Sequence, residues 1–247
     1  MNEMEKITYN DIQAEAESFA ASYRKTHYVP PFPSSEQLQK YREIVSVKYA
    51  PVVELVKRRL MTVDSESGHG YEHLEDVSIR AGFIAEAECD FREITDPQKA
   101  AIIDQTILAG LLHDIERHLG FSEDHMSEGE STAKKLLAEV GIESSIITMV
   151  VRNHDHIDFH PINNPILEIV YGSVFDADHF RYGLEREDTF WRMKENKGAT
   201  PTEVIHDYQF LPAYLYAWKT SYGKEVGTKY IDFGLAIAKH VEAIFSA

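Results

Sequence analysis

The amino-acid sequence predicts an all-α fold, on three observations. Apolar residues recur at three- and four-residue spacing in one segment after another, as in Ile12, Ala16, Phe19 and Tyr23, or Ile103, Ile107 and Leu111. Helix-start signals stand ahead of several segments: Asp96-Pro97, Asn164-Pro165, and Ser127 with Glu130 three residues on. No stretch shows the strict alternation of a half-buried strand.

Taken in order, residues 8–28 read as an amphipathic helix capped by Thr8 or Asn10, and Pro30-Pro31-Phe32-Pro33 ends it. Ser34 or Ser35 caps a second helix reaching about Leu60, with a bend expected near Pro51. Thr62 to Gly70 is a polar loop. The helix from Tyr71 to about Glu88 carries His73 in its first turn, on the same face as Val77, Ala81 and Ile84. Asp96 is read as the cap of a helix from Gln98 to His118, closed by Gly120. Ser127 starts another, stopped at Gly141, and Glu143-Ser144-Ser145 starts the next, whose apolar face ends at His154. Leu167, Tyr171, Val174 and Asp178 then share a face, and residues 203–221 and 224–246 read as two closing helices. Their aromatics (Tyr208, Phe210, Tyr214, Tyr216, Trp218) are expected in the core or in a homodimer contact.

With 247 residues, 43% hydrophobic and 27% charged, the chain has material for a sizeable core. No apolar run approaches the roughly 20 residues that span a bilayer. The acidic N-terminus lacks a signal-peptide core, and the single cysteine, Cys89, excludes an internal disulfide; the expected location is cytoplasmic and no membrane partner is expected. A formal net charge of −16 repels a phosphate backbone, so nucleic-acid polymers are poor partners, whereas a small phosphorylated ligand is acceptable if local cations offset the field. No GxxxxGK[ST] loop and no GxSxG elbow is present.

Histidine is distributed unevenly: of 12, eight fall between His69 and His160. Four apolar stripes each end in a metal-ligand type: His73, the pair His113-Asp114, His154 and Asp178. His125 precedes a helix as a fifth candidate. Singly, each is most simply a core or surface residue with a hydrogen-bond partner. Together they are hard to explain as packing, because buried Asp and His require partners, and a metal satisfies all of them at once. Nitrogen and oxygen donors without cysteine fit Mn, Fe, Co, Ni or Zn, or Mg with fewer histidines, as one ion or two.

Gly70-Tyr71-Glu72-His73-Leu74-Glu75-Asp76-Val77, Leu111-Leu112-His113-Asp114-Ile115 and Asp176-Ala177-Asp178, in this order, resemble the H…HD…D signature of the HD-domain superfamily of metal-dependent phosphohydrolases. The resemblance covers about residues 69–186, and Thr220-Ser221-Tyr222-Gly223-Lys224 resembles the closing segment of small stand-alone bacterial members. It implies an HD-type helical bundle with extra N-terminal and C-terminal helices: 1–60 as a helical extension packed on the core, and 61–247 as the phosphohydrolase domain. It implies that His73, His113, Asp114 and Asp178 bind a divalent metal. His125 and His154 match positions that hold a second ion, bridged by the HD aspartate, in two-metal members and contact phosphate in others. Asp176 is a lesser candidate than Asp178. Departures stand at Glu116, where members often have Gly, at Asp76, where they often have Arg, and at Phe180-Arg181, where a leucine and a second aspartate are usual; these leave the substrate open.

The expected chemistry is hydrolysis of a phosphoester in a small metabolite, a nucleotide by family analogy. Asp114 holds the attacking water, His125 or His154 protonates the leaving oxygen, and Arg117 and Arg181 bind the phosphoryl group. A two-iron oxygenase using the same six ligands is the first alternative, and a non-catalytic metal- or nucleotide-binding regulatory domain the second.

Overall fold

The computed structural model describes residues 7–31, 33–61, 70–117, 123–161, 163–184, 200 and 216–245. Side chains 123–124 and 181–184 lie outside that description. The described residues form nine α-helices and no strand: α1 Tyr9–Thr26, α2 Ser35–Glu43, α3 Ala50–Met61, α4 Tyr71–Phe91, α5 Asp96–Leu112, α6 Glu123–Glu139, α7 Ser145–Asn153, α8 Pro165–Leu184 and α9 Ser221–Phe245. None is long and apolar enough to cross a membrane.

Local sequence explains most of the boundaries. Thr8 and Asp11 form a reciprocal capping box at α1, and Ser34 and Gln37 form another at α2. Near the bend expected at Pro51, the helix is interrupted a turn earlier, where Ile44–Lys48 widens into a π turn before Ala50. Thr95, rather than Asp96, stands at the N-cap position of α5, without a side-chain capping bond, and Asp96 and Pro97 occupy its first turn. Two expectations fail more instructively. The α5 helix ends at Leu112 instead of continuing to His118, and α6 already runs from Glu123, so Ser127 is inside it rather than at its cap. Gly141 adopts φ 72° just past α6, the left-handed position glycine takes without a Cβ penalty. The closing helix begins at Ser221 and residues 217–219 are not helical; 203–215 lie outside the described residues. With them lie Tyr208, Phe210 and Tyr214, and of the other closing aromatics Trp218 is buried while Tyr216 is exposed.

The chain separates into two compact units. One comprises residues 1–31, 179–217 and 225–247. In it Ile12, Ala16 and Ala20 of α1 pack on Phe233, Ile237, Ala238 and Val241 of α9. His240 stacks on Phe19 at 4.1 Å and bonds Glu15 at 2.6 Å. The other unit comprises 32–178 and 218–224 and contains α2 to α7 with the part of α8 through Asp178. Its central pair is α4 and α5, which cross where Ser78 meets Gly110. A Cβ built on Gly110 would lie 2.7 Å from Ser78 Cα, so the absence of a side chain sets how closely these helices approach. Ser78 Oγ donates to the Ile107 carbonyl at 2.7 Å across the same crossing.

Candidate metal centre

Gly110 stands three residues before His113, and Ser78 five residues after His73. The tight crossing therefore brings the two histidines together edge-on, with their Nε2 atoms 3.2 Å apart. Beyond Leu112 the chain tightens: Ile115 N–H bonds the Leu112 carbonyl and Arg117 N–H the Asp114 carbonyl, both three residues back. In this 3₁₀-like turn, residues three apart stack on one side, which puts Arg117 over Asp114. The turn is buried, including His113, Asp114, Glu116 and Arg117.

His113 Nδ1 lies 2.7 Å from the Gly110 carbonyl, an acceptor only, so Nδ1 donates there and Nε2 faces the cluster. Around that nitrogen gather Asp114 Oδ2 at 3.5 Å and Asp178 Oδ1 at 3.9 Å. His73 Nε2 is 3.7 Å from Asp114 Oδ2 and 3.4 Å from Asp178 Oδ1. Ligand atoms at about 2.1 Å from one ion stand about 3.0–3.4 Å apart in octahedral or tetrahedral arrangement. The donor pairs stand 3.2–3.9 Å apart, from within that range to about 0.5 Å beyond it, so the cluster could hold a metal ion.

Asp114 turns its other oxygen to a second group. Asp114 Oδ1 lies 3.0 Å from His154 Nε2 and 4.0 Å from His125 Nε2. Two three-residue sets thus share Asp114: His73, His113 and Asp114, and Asp114, His125 and His154. The second differs electrically from the first. His154 Nδ1 meets the Val151 carbonyl at 2.8 Å while Nε2 meets the Asp114 carboxylate, so both ring nitrogens face acceptors and the ring holds two protons. Burial opposes that charge, yet the Asp114 hydrogen bond and charge push the His154 pKa up to about 9. Burial likewise favours a neutral Asp114, but the His113, His154 and His73 rings overcome it and hold the carboxylate well below its ordinary range.

Arg117 enters this second group. Its Nη1 lies 2.9 Å from His125 Nε2, 2.7 Å from Asp155 Oδ2 and 3.6 Å from Asp114 Oδ1. Asp155 is a residue the sequence reading did not single out. Its Oδ2 is also 3.5 Å from His125 Nε2, and its Oδ1 is 3.6 Å from His154 Nε2. Burial raises the Asp155 pKa, but His125, His154 and Arg117 reverse this and lower it strongly. The only sequence signal was adjacency to His154. On a continuing helix the next residue points about 100° away, but α7 ends at Asn153 and the turn at 154–155 swings Asp155 back. Asn153, Asp155 and the following residues to Phe159 line a cavity of about 430 Å³.

Asp176, the lesser candidate, is engaged elsewhere. It accepts from Lys219 N at 2.9 Å, Thr220 N at 2.8 Å and Thr220 Oγ1 at 2.6 Å, while Thr220 Oγ1 accepts from Gly223 N at 2.9 Å. It fixes the start of α9, whereas Asp178 joins the histidines. Glu116 has a similar tying role: Arg59 grips it through two hydrogen bonds, of 2.8 and 2.6 Å, and Thr132 donates at 2.7 Å. That clamp joins the buried turn to α3 and α6 and accounts for an acid at a position where glycine was the family expectation. Of the remaining candidates, the Arg181 side chain, His69 and His118 lie outside the described residues.

No protein-family model, no curated protein and no solved structure matches the chain. What stands is an all-helical protein with a buried His/Asp cluster whose donors could hold a metal ion.

Proposed function

We propose that this protein is a metal-dependent phosphohydrolase of the HD-domain type, acting on a small phosphorylated metabolite, with nucleotides the first class to test. The observation that carries the reading is the convergence of His73, His113, Asp114 and Asp178 from α4, the turn after α5, and α8, in the order of the H…HD…D signature. These four residues would hold the ion. A divalent ion bound there supplies a water of lowered pKa and polarises a phosphoryl oxygen.

The chain's own groups provide the rest. Asp114, ionised and buried, orients the water and accepts its hydrogen bond. His154, charged at neutral pH, carries a proton on Nε2 that it can pass to the leaving oxygen. Arg117 places a permanent positive charge 3.6 Å from Asp114, where charge develops on the phosphoryl group. The net charge of −16 disfavours polymeric nucleic acid as substrate.

The two-iron oxygenase stays as a second reading because Asp114 offers one oxygen to each group, an arrangement that would serve either chemistry. Metal analysis of the protein as purified, followed by Mn- or Co-loaded assays on nucleotides and phosphomonoesters, tests the proposal. Phosphate release that vanishes in His113→Ala and Asp114→Ala, together with metal retention, is the expected result. Iron with O₂ consumption would favour the second reading, and metal binding with no product across the panel would favour a regulatory domain. If either variant keeps both metal and turnover, the site assignment is wrong.

A further inference from the structure

The second donor group already contains a cation, and it is part of the chain. Arg117 Nη1 sits 2.9 Å from His125 Nε2, the nitrogen a metal would use. The guanidinium therefore occupies the approach to His125 Nε2 that a metal would take. The same Nη1 holds Asp155 Oδ2 at 2.7 Å and stands 3.6 Å from Asp114 Oδ1. A second ion would need at about 2.1 Å the same His125 and Asp155 atoms that the guanidinium already holds, so the two cations compete for one set of donors. The Arg117 side chain is 8% exposed and rises from the 3₁₀-like turn, so it is built into the site rather than resting on it.

We infer that Arg117 serves as the second cation of the centre, and that the protein therefore binds one divalent ion per chain, at His73, His113, Asp114 and Asp178. This rests on the metal reading proposed above. Arg117 and a second ion are mutually exclusive at His125, Asp155 and Asp114. A fixed guanidinium neutralises Asp114 and Asp155 as an ion would, but it neither carries a water nor changes oxidation state. It thereby separates this centre from one needing two redox-active metals.

Metal stoichiometry tests the inference without relying on turnover. The full-length protein is stripped, titrated with Mn²⁺ and followed by calorimetry, elemental analysis and electron paramagnetic resonance, where two bridged Mn ions give a spin-coupled signal. Wild type is expected to bind a single ion with an uncoupled spectrum. Arg117→Met should gain a second equivalent at least about tenfold tighter than any seen in wild type, with the coupled signal. Adding His125→Ala to Arg117→Met should remove that second equivalent. Arg117→Lys, which keeps a charge, should stay at one ion.

Two tight, coupled ions in wild type would overturn the inference while leaving the metal reading intact. So would an Arg117→Met protein, folded by circular dichroism, that still takes only one. No ion in any of the proteins would sink the metal reading and the inference with it. If Arg117→Met does not fold, the wild-type spectrum decides alone: one uncoupled ion under excess Mn²⁺ supports the inference, and a coupled pair refutes it.

Discussion

Gly110→Ala probes the contact on which the cluster depends. The added methyl would lie 2.7 Å from Ser78 Cα and 3.1 Å from Ser78 N. Both atoms are backbone, so no side chain can rotate away. Restoring ordinary contact requires α4 and α5 to part by about 0.7 Å at the crossing. Overpacking of this kind costs about 1–3 kcal/mol. In a domain of this size that is about 2–4 °C of melting temperature per kcal/mol. The displacement should reach His73 and His113, which lie within about a turn and a half of the contact on its two helices. Ligand distances tolerate only about 0.2 Å, so metal affinity should fall by about 10- to 100-fold. Differential scanning calorimetry reads the first effect and competition with a chromophoric chelator the second. Gly141→Ala is the control: its φ of 72° imposes a strain of about 1 kcal/mol, outside the metal-ligand set, so stability should drop and metal affinity should not. If Gly110→Ala melts within a degree of wild type and keeps its metal, the crossing does not position the site and the reasoning is wrong.

Four further outcomes are expected. Asp178→Asn should lose metal with little loss of stability, and Asp176→Asn should do the reverse, because its amide would confront the Lys219 N–H; elemental analysis and thermal melts separate the two. Burial, opposed by the Thr220 and Lys219 hydrogen bonds, pushes the Asp176 pKa up to about 6, above its ordinary 3.8. The native state therefore binds that proton more tightly than the unfolded chain, and stability should decline by roughly 3 kcal/mol as pH rises from about 4 to 6, a slope that urea titrations should find flattened in Asp176→Asn. Arg59→Met leaves the buried Glu116 with Thr132 and should cost about 2–4 kcal/mol, part of which Arg59→Met/Glu116→Met should recover. Cys89, its thiol pushed up to about 11 by burial, should resist a disulfide reagent at pH 8 until denaturant is added; rapid reaction of the native protein would contradict its packing.

Sequence by itself determined the all-α class and the identity of the ligand-type residues. Apolar periodicity and caps are local signals, so Thr8, Ser34 and Asn164 mark real helix starts, and Asp178 stands on the stripe of Leu167, Tyr171 and Val174 as its spacing required. Tertiary structure decided how those residues are used. The end of α5 at Leu112 was not legible, since nothing in Leu-Leu-His-Asp-Ile-Glu-Arg breaks a helix; the turn is held by non-local partners, Arg59 and Thr132 on Glu116 and Asp155 on Arg117. A continuous helix and a 3₁₀-like turn differ by about 20° per residue, enough to bring Arg117 over Asp114 and onto the acceptors of the second group. Asp155 was hidden for the same reason: its place depends on where α7 stops. Spacing can show that donors share a face, but which charge fills the space between them depends on partners distant in the chain.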